Sequence, residues 1–131
     1  MNIAIWVVQA LLAVAFLAHG WLFLFPPAEL VDQMNAALPT WFRLFIGAAE
    51  VLAAVGITLP GLIRIQTWLV VCAAAGLMIV TASATVFHIA RAEVSSAATT
   101  LILFALATFV AYARYRVALE KRANHAPSPP R

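Results

Sequence analysis

The stretch "WFRLFIGAAEVLAAVGITLP", residues 41–60, decides the fold. It is apolar almost throughout, and a helix of about 20 such residues crosses the roughly 30 Å hydrocarbon core of a bilayer. Yet Glu50 stands near its middle and Arg43 lies one heptad earlier. Arg43, Gly47, Glu50 and Ala54 recur at i, i+4, i+7 and i+11, so a helix sets all four on one face. Ionisable side chains facing lipid cost several kcal/mol and nearly always turn to a bundle interior or a wet cavity. The stretch therefore reads as a membrane span with one inward-facing polar edge.

The rest of the chain supplies the bundle that such a span needs. Of 131 residues, 65% are hydrophobic and only 10% are charged, against about half and about a quarter in soluble domains. A chain this short has too little interior to hide that apolar surface, so lipid is its solvent. Around the second span, about Trp41 to Leu59, three more segments qualify: about Ile3 to Phe25, Gln66 to Ala90 and Ser95 to Tyr112. The first has no basic n-region and is longer than the roughly 7–15-residue apolar core of a signal peptide, so it reads as a span. The predicted class is an all-α polytopic four-helix bundle over residues 1–116. Residues 117–131 form a basic, Pro-rich cytoplasmic tail whose composition predicts disorder; His125 lies there without a role.

The first connection, "PPAELVDQMNAALP", sets Leu30, Met34, Ala37 and Leu38 at helical spacing. It predicts a short amphipathic helix on the membrane surface or capping the bundle. An even number of spans puts both termini on one side. That side collects Arg64, Arg114, Arg116, Lys121, Arg122 and Arg131, whereas the other holds Arg43 and Arg91. The positive-inside rule then gives N-in and C-in. The net charge of +3 accordingly reads as membrane anchoring, with lipids and not nucleic acid as the partner. Cys72, the one cysteine, excludes an internal disulfide or a cysteine metal cluster and reads as a small buried apolar residue.

The in-span polar residues gather toward the side opposite the termini. His19, Arg43, Glu50, Thr81, Thr85, His88 and Arg91 lie in that half, with Ser95, Ser96, Thr99 and Thr100 opening the fourth span. The other half offers only Gln9, Thr58, Gln66, Thr67 and Thr108. The expectation is an outward-opening polar cleft between the helices, floored near Glu50. Glu50, His88 and His19 are the candidate catalytic groups. Arg43, Thr81, Thr85, Arg91 and Trp21 are the candidate ligand-binding groups, Trp21 also fitting an interfacial aromatic belt. Ala49, Ala53 and Gly56, and Cys72, Ala73 and Gly76 on the third span, predict close helix approach. Phosphate-loop, dinucleotide, zincin and serine-elbow motifs are absent. His19, His88 and Glu50 are suitable metal-ligand types, and two facing histidines suit haem. Three different helices give no spacing support, so neither metal nor cofactor is expected.

Three segments carry a family resemblance. "RLFIGAAEVLAAVGITLPGL", "HGWLFLFPPAELVDQM" and "TASATVFHIARAE" resemble the second span, the first-span end with its following helix, and the third-span end of the DoxX-like family. The resemblance covers residues 3–115. In that family a lysine is common shortly after the glycine matching Gly20, where Leu22, Phe23 and Leu24 stand here. The resemblance implies a four-helix bundle in a bacterial inner membrane, with some relatives named as thiosulfate:quinone oxidoreductase subunits and others linked to oxidative-stress complexes or membrane-protein assembly. The leading expectation is a quinone-like lipophile bound in the cleft, as a redox auxiliary with a partner subunit or a second copy. A cofactor-free acid–base enzyme (isomerase, cyclase or epoxide-opening) on a lipophilic substrate is the second. A membrane-protein chaperone or scaffold is the third.

Overall fold

The computed structural model describes residues 3–63 and 67–124. They form five helices and, among the described residues, no strand: α1 (Ile3–Leu24), α2 (Ala28–Ala37), α3 (Thr40–Leu62), α4 (Thr67–Ala90) and α5 (Val94–Asn124). The four long ones are long and apolar enough to cross a membrane. In an apolar 18-residue window of each, between 17% and 28% is buried within the chain. Large apolar side chains such as Val14, Leu52, Ile79 and Ile102 are left exposed. That surface is stable only in lipid, and the chain is a multi-pass membrane protein.

The spans are arranged as a ring. α1 packs on α3, α3 on α4 and α4 on α5, and a thinner contact of α5 with α1 closes it. Each contributes one inward stripe. On α3 the buried positions are Arg43, Gly47, Glu50, Ala54, Ile57 and Pro60, the helical face expected from the sequence. On α4 they are Val70, Ala74, Leu77 and Thr81. Leu12 and Phe16 of α1 and Ala107 and Val110 of α5 complete the apolar core.

Prolines set the turns at one end. A residue before proline is pushed to extended geometry: Leu38 has φ −141° and ψ 140°, so α2 stops and Pro39 precedes α3. α2 turns Leu30, Met34, Ala37 and Leu38 half inward, with Glu29, Asp32 and Gln33 exposed, as the spacing predicts.

Four features differ from the sequence reading. α3 does not stop at Leu59 but runs through Pro60 to Leu62, because tertiary contacts support its last turn: the Gln9 side-chain amide donates to the Ile57 carbonyl, and Gly61 lies against the Trp6 ring. α5 continues past Tyr112 to Asn124, so the anticipated boundary at 116/117 falls inside a helix. There Lys121 donates to the Thr67 hydroxyl at 3.3 Å and Arg122 lies over Trp68. The rest of the expected tail, with His125, is outside the described residues, as are Arg64 and Gln66. Cys72 is exposed rather than buried. A Cβ on Gly76 would meet nothing within 4 Å, so of the three small residues read as a contact stripe there, only Ala73 packs, against Gly56.

Candidate functional site

The site is built from one close helix crossing. A Cβ on Gly20 would lie 2.8 Å from the Gly47 carbonyl, and one on Gly47 would lie 2.9 Å from the Phe23 Cβ. No other residue fits between α1 and α3 at this point without moving a backbone. The residues flanking the crossing are thereby forced together. His19 Nδ1 and Glu50 Oε2 share a hydrogen bond of 2.7 Å. The Glu50 side chain is 4% exposed and that of His19 51%, so the carboxylate is sealed and addressed through the imidazole. The His19 ring leans on Phe23, centroids 4.4 Å apart.

Arg43 lies two turns along the same face of α3. The last four carbonyls of a helix have no partner within it, and Arg43 Nη1 donates to one of them, Phe23 O at the end of α1. The cation also suits the negative end of that helix dipole. Arg43 is only 6% exposed, and its Nε is buried without a hydrogen-bond partner. Among the described residues no carboxylate lies within ion-pair distance of it; Glu50, the acid on its own face, is taken by His19.

The α4–α5 turn supplies the third part. Ala92, with φ 57°, takes the left-handed conformation that closes many helices. Its N–H bonds to Ile89 O, and the Glu93 N–H reaches back to His88 O. This reversal lays Glu93 over the end of α4, where it bonds His88 Nδ1 at 2.6 Å and accepts from Arg91 Nε at 2.8 Å. The Arg91 hydrogen bond, followed by that from His88, holds the Glu93 carboxyl below its ordinary pKa. The Arg91 guanidinium also lies over the Phe87 ring, 5.3 Å from its centroid.

These parts surround an open cavity of about 170 Å³, room for a small ring or a head group with its first methylenes. Its apolar walls are Phe23 from α1, Met34 and Leu38 from the α2 segment and Phe87 from α4. Its polar groups are Arg43, His88, Arg91 and Glu93. The polar cleft expected from the sequence is thus shallower than anticipated. Glu50 does not floor it; the His19–Glu50 pair lies behind Phe23, outside the cavity lining.

The other anticipated site residues go elsewhere. Thr81 is buried but bonds its own helix at Leu77 O. Thr85 bonds Thr81 O and the Thr100 hydroxyl, each at 2.8 Å, tying α4 to α5. Trp21 is 62% exposed and lies tilted against Phe25, centroids 4.6 Å apart, on the outside of the bundle. His19 and His88 are each bound to a separate carboxylate, an arrangement unlike a facing haem pair. No three His, Cys, Asp or Glu side chains converge as metal ligands among the described residues. Sequence reasoning missed Glu93, whose place depends on the Ala92 turn, and the α2 wall of the cavity. It also missed a network at the opposite end. Gln9, fully buried, accepts from Arg114 Nε at 2.7 Å while donating to Ile57 O, and Arg114 stacks 5.0 Å over Trp6. A lone glutamine in an apolar span was the available signal; Arg114 was masked by its place among the basic residues at the span end.

The model of the DoxX-like family fits residues 7–110, most of the chain, including the cavity-lining residues from Phe23 to Glu93. No curated protein and no solved structure matches.

Proposed function

The chain belongs to the DoxX-like family, and from that premise we propose that it binds a lipophilic small molecule, quinone-like in having an oxygen-acceptor head, in the cavity beneath α2. One observation carries the reading: apolar walls flank a nearly buried arginine whose Nε has no partner, beside His88 and Arg91. Small-molecule sites combine apolar lining with a few convergent polar groups in this way. Arg43 and His88 donate to the head, and the Arg43 charge stabilises negative charge developing on it during reduction. The chain has no electron-carrier motif of its own, so it acts as an auxiliary in a redox assembly whose partner subunit supplies electrons. The count of basic residues at the two ends favours N-in, C-in insertion in a bacterial inner membrane, with the cavity outward.

The test is mass spectrometry of lipophiles co-purified with the detergent-solubilised protein, alongside titration with a short-chain quinone. A stoichiometric lipophile in wild type and in Glu50→Gln, reduced about tenfold or more in Arg43→Gln, is expected from the loss of a charged hydrogen bond. An empty protein that also fails to bind the quinone would overturn the proposal. The 2.7 Å His19–Glu50 pair favours a second reading, acid–base catalysis on a lipophilic substrate with Glu50 and His19 as complementary groups. That reading requires turnover with a bell-shaped pH profile, abolished by Glu50→Gln.

A further inference from the structure

An arginine removed from water without a counter-charge is expensive to keep, since desolvation is compensated only by close opposite charge or by hydrogen bonds to its remaining donors. Arg43 has one such bond, to Phe23 O, and an orphan Nε. The acids nearest in the fold are committed elsewhere: Glu50 to His19, and Glu93 to both His88 and Arg91. Glu93 matches the charge of Arg91. Among the groups that line the cavity, with His88 neutral, two arginines face one carboxylate, and that carboxylate pairs with Arg91, so the lining carries one positive charge in excess, at Arg43.

We infer that the head group held in this cavity is anionic: the ligand is an amphiphile with a single negatively charged oxygen head, placed against Arg43 at the α1–α3 end and Arg91 at the α4–α5 turn. This rests on the cavity being a lipophile site and goes further by assigning the charge of the occupant. The guanidinium offers planar donors suited to a carboxylate, enolate or phosphate oxygen pair. Phe23, Phe87 and the α2 side chains then cover the first part of the tail. A neutral carbonyl head would satisfy a donor but leave the buried charge unmatched.

The experiment uses the full chain in phosphatidylcholine nanodiscs and two matched pairs of probes. The first pair is a 2-hydroxy-3-alkyl-1,4-naphthoquinone, ionised at neutral pH, and its 2-methoxy ether. The second is dodecanoate and its methyl ester. The ionised member of each pair is expected to bind about ten- to a hundredfold more tightly, the range of a charge-assisted hydrogen bond. The preference should fall toward unity in Arg43→Gln and fall less in Arg91→Gln. Equal affinity within both pairs would overturn the anionic head while leaving the lipophile site standing. Failure of all four probes to bind would remove both readings. Binding of dodecanoate with neither naphthoquinone would keep the anionic head and discard the quinone likeness. Competition by added phosphatidylglycerol would support the charge assignment and identify a bilayer phosphate as its source. The preference within the wild-type protein decides the matter should Arg43→Gln not fold.

Discussion

The bundle buries polar groups at both ends, and the two ends use them differently. At the end holding the chain termini, Gln9 uses its oxygen for Arg114 and its nitrogen for Ile57 O, linking α1, α3 and α5. Arg114 finds a hydrogen-bond acceptor there and an aromatic face in Trp6; among the described residues the orphan donor at this end is the Trp6 Nε1, and it is neutral. At the α2 end the orphan donor belongs to Arg43, a buried cation beside an open cavity. A network that leaves no donor of its cation orphaned fixes the register of helices; a buried cation with an orphan donor beside a cavity is a place for something from outside. Burial of polar residues is thus a poor guide to function until their partners are counted.

The largest effect that sharpens this contrast is expected at the α1–α3 crossing beside the cavity. Gly47→Val would drive branched carbons into Phe23 and the Gly20 backbone, forcing α1 from α3. Overpacking of this kind costs about 1–3 kcal/mol or more. Thermal unfolding in detergent should show it, together with loss of the probe binding that depends on Phe23 and Arg43. Unchanged melting would mean that the two helices do not approach as described.

A smaller effect separates the ends directly. Gln9→Leu leaves Arg114 half-buried without its acceptor, at about 1–3 kcal/mol for an unsatisfied charged donor. Adding Arg114→Leu should recover most of that loss, because a closed buried network can often be replaced by apolar packing. Ligand probes should bind the double variant as they bind wild type. Weakened probe binding in a fully folded double variant would break the comparison, since the terminal-end network would then be coupled to the cavity.

The smallest effect concerns the Glu93 clip at the cavity edge. Its carboxyl titrates below the ordinary value of 4.5. A group with a depressed folded-state pKa contributes stability that is present above its unfolded value and lost as pH falls through the folded one. The difference in melting temperature between wild type and Glu93→Gln should therefore not shrink between neutral pH and about 4.5 and should fall only below that. A difference already fading near pH 6 would show that Glu93 is not held by Arg91 and His88.

Much of this was legible before any coordinates. Composition demanded lipid, the apolar runs placed four spans, and the spacing of Arg43, Gly47, Glu50 and Ala54 marked the buried face of α3. Those properties follow from helical period and from the cost of charge in hydrocarbon, which are local and additive. The pairing of those residues was not legible. Sequence placed Glu50 and Arg43 on one face but could not say that His19 takes the carboxylate and leaves the guanidinium, because that depends on where Gly20 meets Gly47. It could not place Glu93 over His88, because one left-handed residue at Ala92 sets that reversal. Nor could it show that Cys72 and Gly76 face outward or that Arg114 reaches Gln9. The sequence determined which residues must leave lipid. Only the packing of helix on helix decided which of them satisfy one another, because partners distant in the chain meet by rotation and crossing of whole helices rather than by spacing along any one of them.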